Sequence, residues 1–467
     1  MCAGAAFATV ELTNGYNIWS TTSGLQDNDN VDIAFNSGGG GLFIDADGKT
    51  ITSATIPATV NFIQVKTGYT ATVSSTTAVK AGSKLTIGTA TEASKPNFLG
   101  TLNMAYNDNK LNFEVNSGTL NILGSGGTFL QSITVNSQSV FNSRNATNTA
   151  YQTLNNPNTI TINGGELNAG RIVVSRVLLN SGSLKATNGM RILSTGNTIN
   201  GNLVVSGCDA AGESVVGDDG VTYYTRRFSL RLGNGCNATI VNDGKNTYNI
   251  GDNATILQTC VSSNIVNDFL GKVTVSAAAS ALKFQNNIVL SGYGQLTLNS
   301  SNAFATVNGS GVKTADQDGT TFYISRKYND AAITSGDWVS DTALNVNADN
   351  DLGALSFGSN TKLTLNIAND AVFSLGSITT QAGSNGEYTF VIDNWHDNSF
   401  RIVGMDLAGL EALKFYDTSL DQLEVYFVET SAGSGEYWVN STIPEPAEWA
   451  MILGALALAV AAYRRRR

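Results

Sequence analysis

A strand–corner–strand motif recurs along the chain in the form apolar-x-apolar-Asn-x-Gly-x-Leu-x-apolar. It runs through Phe113, Val115, Asn116, Gly118, Leu120 and Ile122. It returns at Ile160, Ile162, Asn163, Gly165, Leu167 and Ala169, and again at Val177, Leu179, Asn180, Gly182, Leu184 and Ala186. Looser versions occupy 288–298 (IVLSGYGQLTL) and 355–365 (LSFGSNTKLTL). Period-two alternation turns one side of each strand inward, and Asn and Gly accept the positive-φ backbone of a sharp corner. The step from the second copy to the third, Ile160 to Val177, is a little under one turn of a typical β-solenoid. A single turn buries little, whereas a stack of turns builds a continuous core. No proline falls between Asn158 and Ile443, which suits interior strands whose every N–H is needed for pairing.

The expected fold is therefore all-β, a right-handed parallel β-helix (β-solenoid), followed by a C-terminal single transmembrane helix. Hairpins in a β-sandwich would also use Asn-Gly turns. A sandwich of this length would need several domains, however, and no Pro-rich linker separates any. The solenoid body is assigned to residues 9–384. Residues 385–430 are richer in aromatic and charged side chains and are read as a C-terminal cap, with a short helix expected within Met405–Leu413. Two segments interrupt the repeat, Asp219–Arg227 and Asp318–Lys327. Each holds an aromatic cluster and a basic pair, and both are expected to be hairpins inserted in or flanking the body. They suit either charge-guarded edges or a carbohydrate-contacting patch.

Charged residues make up only 14% of the 467, and 48 glycines accompany 5 prolines. The 27 basic and 37 acidic residues give a net charge of −10. Without the four terminal arginines the rest stands at 23 against 37, or −14. Nucleic acid is excluded as an expected partner, because phosphate binding needs clustered Lys and Arg.

The C-terminus carries a separate signal. A linker over 431–443 leads into Pro444-Glu445-Pro446, the apolar run Trp449–Tyr463 and Arg464-Arg465-Arg466-Arg467. As a helix that run reaches roughly 22 Å, short of a hydrocarbon core of roughly 30 Å. Interfacial Trp449 and Tyr463 and snorkelling arginines cover the difference. The arginines hold the end of the chain on the cytoplasmic side, so the body lies outside. These residues resemble the PEP-CTERM sorting signal of Gram-negative bacteria over positions 444–467. The resemblance implies processing by an exosortase-type membrane protease-transpeptidase, passage through the inner membrane, and association with surface polysaccharide or biofilm matrix. Similar tags also end some ice-binding proteins. The body is similar, in pattern alone, to the passenger regions of autotransporter-type adhesins. At the other end, Ala6-Phe7-Ala8 gives an A-x-A cleavage pattern without a basic or long apolar segment before it, and 1–8 are read as a signal-peptide remnant.

Three cysteines, Cys208, Cys236 and Cys260, share one stretch, while Cys2 stands at the N-terminus. Their spacing does not fit a zinc knuckle. One disulfide suits an oxidising compartment; three pairings are open, as is a set of buried free thiols. The single histidine, His396, cannot build a His-based metal cluster, and no G-x-S-x-G or H-E-x-x-H motif occurs. D-x-D pairs stand at Asp27/Asp29, Asp45/Asp47, Asp316/Asp318 and Asp349/Asp351. They suit calcium or, more simply, turns; no complete calcium loop is present. No catalytic residue, metal or cofactor is assigned. The leading expectation is an exported, non-enzymatic surface or matrix protein of adhesin type. A polysaccharide lyase or hydrolase on the same scaffold would need converging carboxylates. An ice- or glycan-binding module would need a flat Thr-rich face, and Thr50/Thr52 or Thr159/Thr161 do not recur regularly enough to form one.

Overall fold

The structure is a computed structural model. It describes residues 8–441 apart from 57–59, 78, 107–109, 125–127, 130, 156, 208–213, 217–221, 225–226, 233–246, 260–264, 270, 286, 292–293, 307–321, 326–341, 359–360 and 381–387.

Alternation of inward and outward side chains decides where each strand goes. In Gly118–Gly124, Leu120 and Ile122 are fully buried while Thr119 and Leu123 stay partly exposed. In Ser132–Asn136, Ile133 and Val135 point inward between partly exposed neighbours. Burying one such Leu, Ile or Val is worth about 1.5–3 kcal/mol. Each strand offers only two or three inward residues, so the energy comes from stacking copies rather than from any one turn.

Three parallel ladders result. The first runs through Asn112–Val115, Ser132–Asn136 and the start of Thr159–Ala169. The second runs through Gly118–Gly124, Ser139–Asn145 and the end of Thr159–Ala169. The third runs through Thr128–Phe129, Leu154–Asn155, Ile172–Val174 and Met190–Ile192. From Asn112 to Ser325 the chain visits them in the order first, second, third and then repeats, while the described strands before Thr128 lie in the first two ladders alone; the result is a coil of stacked turns consistent with a β-solenoid. Among the described residues the first two ladders belong to one 28-stranded sheet and the third to a 13-stranded sheet. In its three full copies the motif is one crossing from the first ladder to the second, with a third-ladder strand following; the looser versions at 288–298 and 355–365 instead run from a third-ladder strand to a first-ladder strand.

The turns differ greatly in length. Thr159 pairs with Arg176, 17 residues on. Thr297 pairs with Asn345, 48 residues on, and Thr198 with Asn249 across a turn longer still. Both interrupting segments fall in these long turns, but they are used differently. Ser214–Val216 and Thr222–Tyr224 form an antiparallel hairpin, as expected. Phe322–Ser325 is instead an interior parallel strand between Ile288–Ser291 and Asn350–Phe357, with Phe322 and Ile324 buried. Its alternating aromatic and apolar residues serve a core position as well as they would a hairpin.

Parallel pairing continues past residue 384, through Tyr388–Asn394 and Leu413–Asp417 on the first ladder. Leu407–Glu411 is a short helix whose N-cap, Asp406, accepts from the Gly409 amide. On the third ladder, Phe400–Val403 meets Glu436–Ser441 antiparallel, and Val425–Glu429 completes a hairpin. Arg401 ties the junction together, 3.3 Å from Glu436 and over the Trp438 ring. At the N-terminal end Leu12, Trp19 and Leu25 are buried in the same core, and the Trp19 indole donates to the Asn28 carbonyl.

The hairpin turn titrates in a defined direction. Backbone hydrogen bonds from Gly435, then Gly433 and Ser434, hold the Glu429 carboxyl below its ordinary range. A depressed folded value means stabilisation that is present above the unfolded value and lost as pH falls through the folded one. NMR titration is expected to place Glu429 below the ordinary glutamate value. A midpoint at the ordinary value would show that these bonds do not form in solution.

Candidate functional site

The residues assigned in the sequence to sorting, membrane anchoring and a disulfide lie outside the described residues. These are the tag residues Pro444, Glu445, Pro446, Trp449, Tyr463 and Arg464 to Arg467, and the cysteines Cys208, Cys236 and Cys260. The expected transmembrane helix is therefore among them. Among the described residues no helix is long and apolar enough to cross a membrane.

Three acids of the D-x-D pairs, Asp45, Asp47 and Asp349, are engaged in turn chemistry. Asp45 accepts from the Ser20 amide at 2.9 Å and from the Ser20 hydroxyl at 2.5 Å. Asp47 accepts from the Thr70 amide, and Asp349 from the Val372 amide, each at 2.8 Å. Asp29 pairs with Lys49 at 2.5 Å. In Asp45, Asp47 and Asp349 the carboxylate reaches an amide 23 to 25 residues away, one turn of the coil. The short side chain thus bridges neighbouring turns at their corners. Asp316 and Asp318 lie outside the described residues. No group of three His, Cys, Asp or Glu that could hold a metal occurs among the described residues. His396 sits in the turn before Phe400–Val403. Its amide donates to the Ser399 hydroxyl, which donates back to its carbonyl, and ring Nδ1 lies 3.1 Å from the Asp397 carbonyl.

The corner asparagines do something the motif did not reveal. Their backbones are not in the positive-φ region; Gly118, Gly164 and Gly182 take that role at the three copies. In the second copy it is Gly164 rather than Gly165. The asparagines instead form side-chain ladders. Asn136 donates to Asn116 at 2.6 Å, Asn163 to Asn136 at 2.9 Å and Asn180 to Asn163 at 2.8 Å. A second ladder runs from Asn168 to Asn142 at 3.0 Å, then to Asn121 and Asn103 at 2.8 Å each. Each of these bonds runs from Nδ2 to the Oδ1 one turn toward the N-terminus, so the interior amides of Asn136, Asn163, Asn121 and Asn142 are both donors and acceptors. Parallel, in-register turns about 4.8 Å apart allow this.

The outward positions of the first ladder carry Thr134, Thr161, Thr198, Asn249, Thr274 and Thr297 in register over much of the stack. Glu114 and Leu178 interrupt the hydroxyl series. Beside Thr198, Asn249 and Thr274 lies an open pocket of about 420 Å³, lined also by Asn200, Gly251 and Asn253. Asn200 accepts from the Asn253 amide at 3.0 Å and so fixes that rim.

The sequence reading missed the outward aromatics at the N-terminal end: Tyr16, Phe43, Phe62 and Phe98. The signal that could have found them was a break in alternation, since Phe43 stands between the buried Leu42 and Ile44. The chain matches no protein-family model, no curated protein and no solved structure.

Proposed function

We propose that the chain is an exported, cell-surface or matrix-associated structural protein of adhesin type. Its body is a right-handed β-solenoid, the hand that twisted parallel strands joined by crossovers adopt. Residues 444–467 form a PEP-CTERM-like tag, with Pro444, Glu445 and Pro446 recognised by an exosortase-type enzyme. Trp449–Tyr463 and the four arginines hold the inner membrane until processing. The observation that carries the reading is the long parallel stack, whose first-ladder outward column carries chiefly threonine hydroxyls, with the Asn249 amide among them. Of the D-x-D acids, Asp45, Asp47 and Asp349 hold neighbouring turns together and Asp29 is in an ion pair. Such a surface is rigid and weakly charged, and it suits contact with neutral polymer better than acid–base chemistry.

Fractionation of cells expressing the full chain and a chain lacking 444–467 tests the sorting assignment. The full chain is expected in the membrane or surface fraction, and the truncated one chiefly in the medium or periplasm. Unchanged surface retention of the truncated chain would remove the tag from the account.

A further inference from the structure

Four aromatic rings stand on the outside of the stack at its N-terminal end, where alternation would place polar residues. Tyr16, in Tyr16–Ile18, is 50% exposed, and Phe43 and Phe62 are partly exposed on the next two turns. Gly41 lies in register between Tyr16 and Phe62. A Cβ there would fall inside the Phe62 ring, so the missing side chain creates the notch in which that ring lies. The Tyr16 and Phe62 rings come within 5.6 Å, centroid to centroid. Phe98 meets Phe43 edge-on at 4.8 Å, and Leu99 beside it is 39% exposed.

The patch is built and held. Tyr16 donates its hydroxyl to Gln64 Oε1, and Gln64 is buried at the foot of the rings. Phe98 and Leu99 end an excursion fixed by Lys95, a lysine almost wholly removed from water. Its ammonium contacts Glu92 at 2.7 Å and, from a later turn, the Ser137 hydroxyl at 3.0 Å. The Leu99 amide donates to Thr67. Partial burial raises the Tyr16 phenol above its ordinary value, keeping it a neutral donor.

We infer that Tyr16, Phe43, Phe62 and Phe98, with Gln64, form a binding platform for a neutral polysaccharide chain. The inference rests on the surface-protein reading above and gives its polymer contact a place. Exposed ring faces accept the C–H faces of sugar rings, and the phenol oxygen, whose proton is committed to the buried Gln64, can accept from a sugar hydroxyl. None of these five side chains is charged, which disfavours anionic polymers, and the chain as a whole is acidic. Preorganised rings bind without the ordering cost that weakens mobile contacts. Aromatic clusters left at a surface also mark interaction sites generally, so a second copy of the chain is the competing occupant.

Affinity electrophoresis of the full chain in mild detergent, through gels containing hydroxyethylcellulose, dextran or alginate, tests this. Retardation is expected with at least one of the two neutral polymers. Tyr16→Leu/Phe43→Leu keeps apolar bulk while removing two ring faces, and it is expected to weaken retention about tenfold or more. Tyr16→Phe keeps the ring and is expected to change retention by less than about threefold. Ser419→Ala, an exposed position at the other end of the stack, is expected to leave it unchanged. Three results would overturn the site: no retardation by either neutral polymer, retention by alginate alone, or equal retention of the Leu pair. Sedimentation of the same proteins covers the competing occupant, since a change of oligomeric state in the Leu pair would assign the patch to self-association. Failure here with release of the truncated chain in the fractionation would leave the sorting assignment standing.

Discussion

Gly118→Ala is expected to destabilise the stack by about 2–5 kcal/mol, and Gly118→Val by more. Gly118 has a φ of +76°, where an L side chain costs about 1–2 kcal/mol. A Cβ there would also lie 2.5 Å from the Gly100 carbonyl oxygen and 3.0 Å from that of Phe98. These are backbone atoms and cannot rotate away, and forced overpacking of this kind costs about 1–3 kcal/mol. The Gly100 oxygen already accepts the Thr119 amide at 3.0 Å, so relief of the clash weakens the first bond of the next strand. Gly48 supplies the control. Its φ is +69°, with nothing within 4 Å of its Cβ position, and Gly48→Ala should cost only the conformational part, about 1–2 kcal/mol. Denaturation midpoints of the two variants measure the difference directly. Comparing midpoints is the sound course, because stacked turns need not unfold in one step. Equal midpoints would mean that close approach between turns is not what the corner glycine provides.

Asn142→Leu should cost about 2–5 kcal/mol through the amide ladder. Asn142 is 7% exposed, donates to Asn121 and accepts from Asn168. An apolar replacement leaves the Asn121 oxygen without that donor and deprives Asn168 of one acceptor, each loss worth about 1–3 kcal/mol when buried. Asn168 keeps its bond to Glu166 at 2.6 Å, which limits the second loss. Asn142→Asp separates the electrostatics from the packing. The carboxylate still accepts from Asn168 but turns an acceptor toward the Asn121 oxygen. Burial and this opposed acceptor raise its folded pKa above the unfolded value. The variant should therefore recover stability as pH falls and the protonated acid regains a donor, and lose it as pH rises through the folded value. A stability profile parallel to that of the parent chain from about pH 4 to about pH 8 would show that the ladder is not under tension at Asn142.

Each prediction depends on a contact between turns, and those contacts are the least legible part of the sequence. Phe113/Val115 with Leu120/Ile122 can be read as two inward-facing strands across a corner, and that is how they lie. The ladder through Asn136 cannot be read, because 132–139 carries no Gly and does not match the motif. Asn136 joins Asn116 and Asn163 only because the turns stack in register. The corner asparagines likewise differ from their expected role in backbone conformation, which Gly118, Gly164 and Gly182 supply. Phe322–Ser325 shows the same limit, since a strand's own alternation does not say whether its neighbour is a hairpin partner or the turn below.

The sequence alone determined which side chains face inward and where the chain turns, because period-two alternation and corner residues are local properties. It also carries the pattern at 444–467 on which the proposed sorting assignment rests. Register was decided only in the tertiary structure. Turns as short as Thr159 to Arg176 and as long as Thr198 to Asn249 bring their strands back into the same ladder, since loop length changes closure entropy only slowly. Sequence separation therefore does not reveal which residues will sit one above another. That is why the asparagine ladders, and the aromatic platform gathered from Tyr16, Phe43, Phe62 and Phe98, become visible only once the turns are stacked.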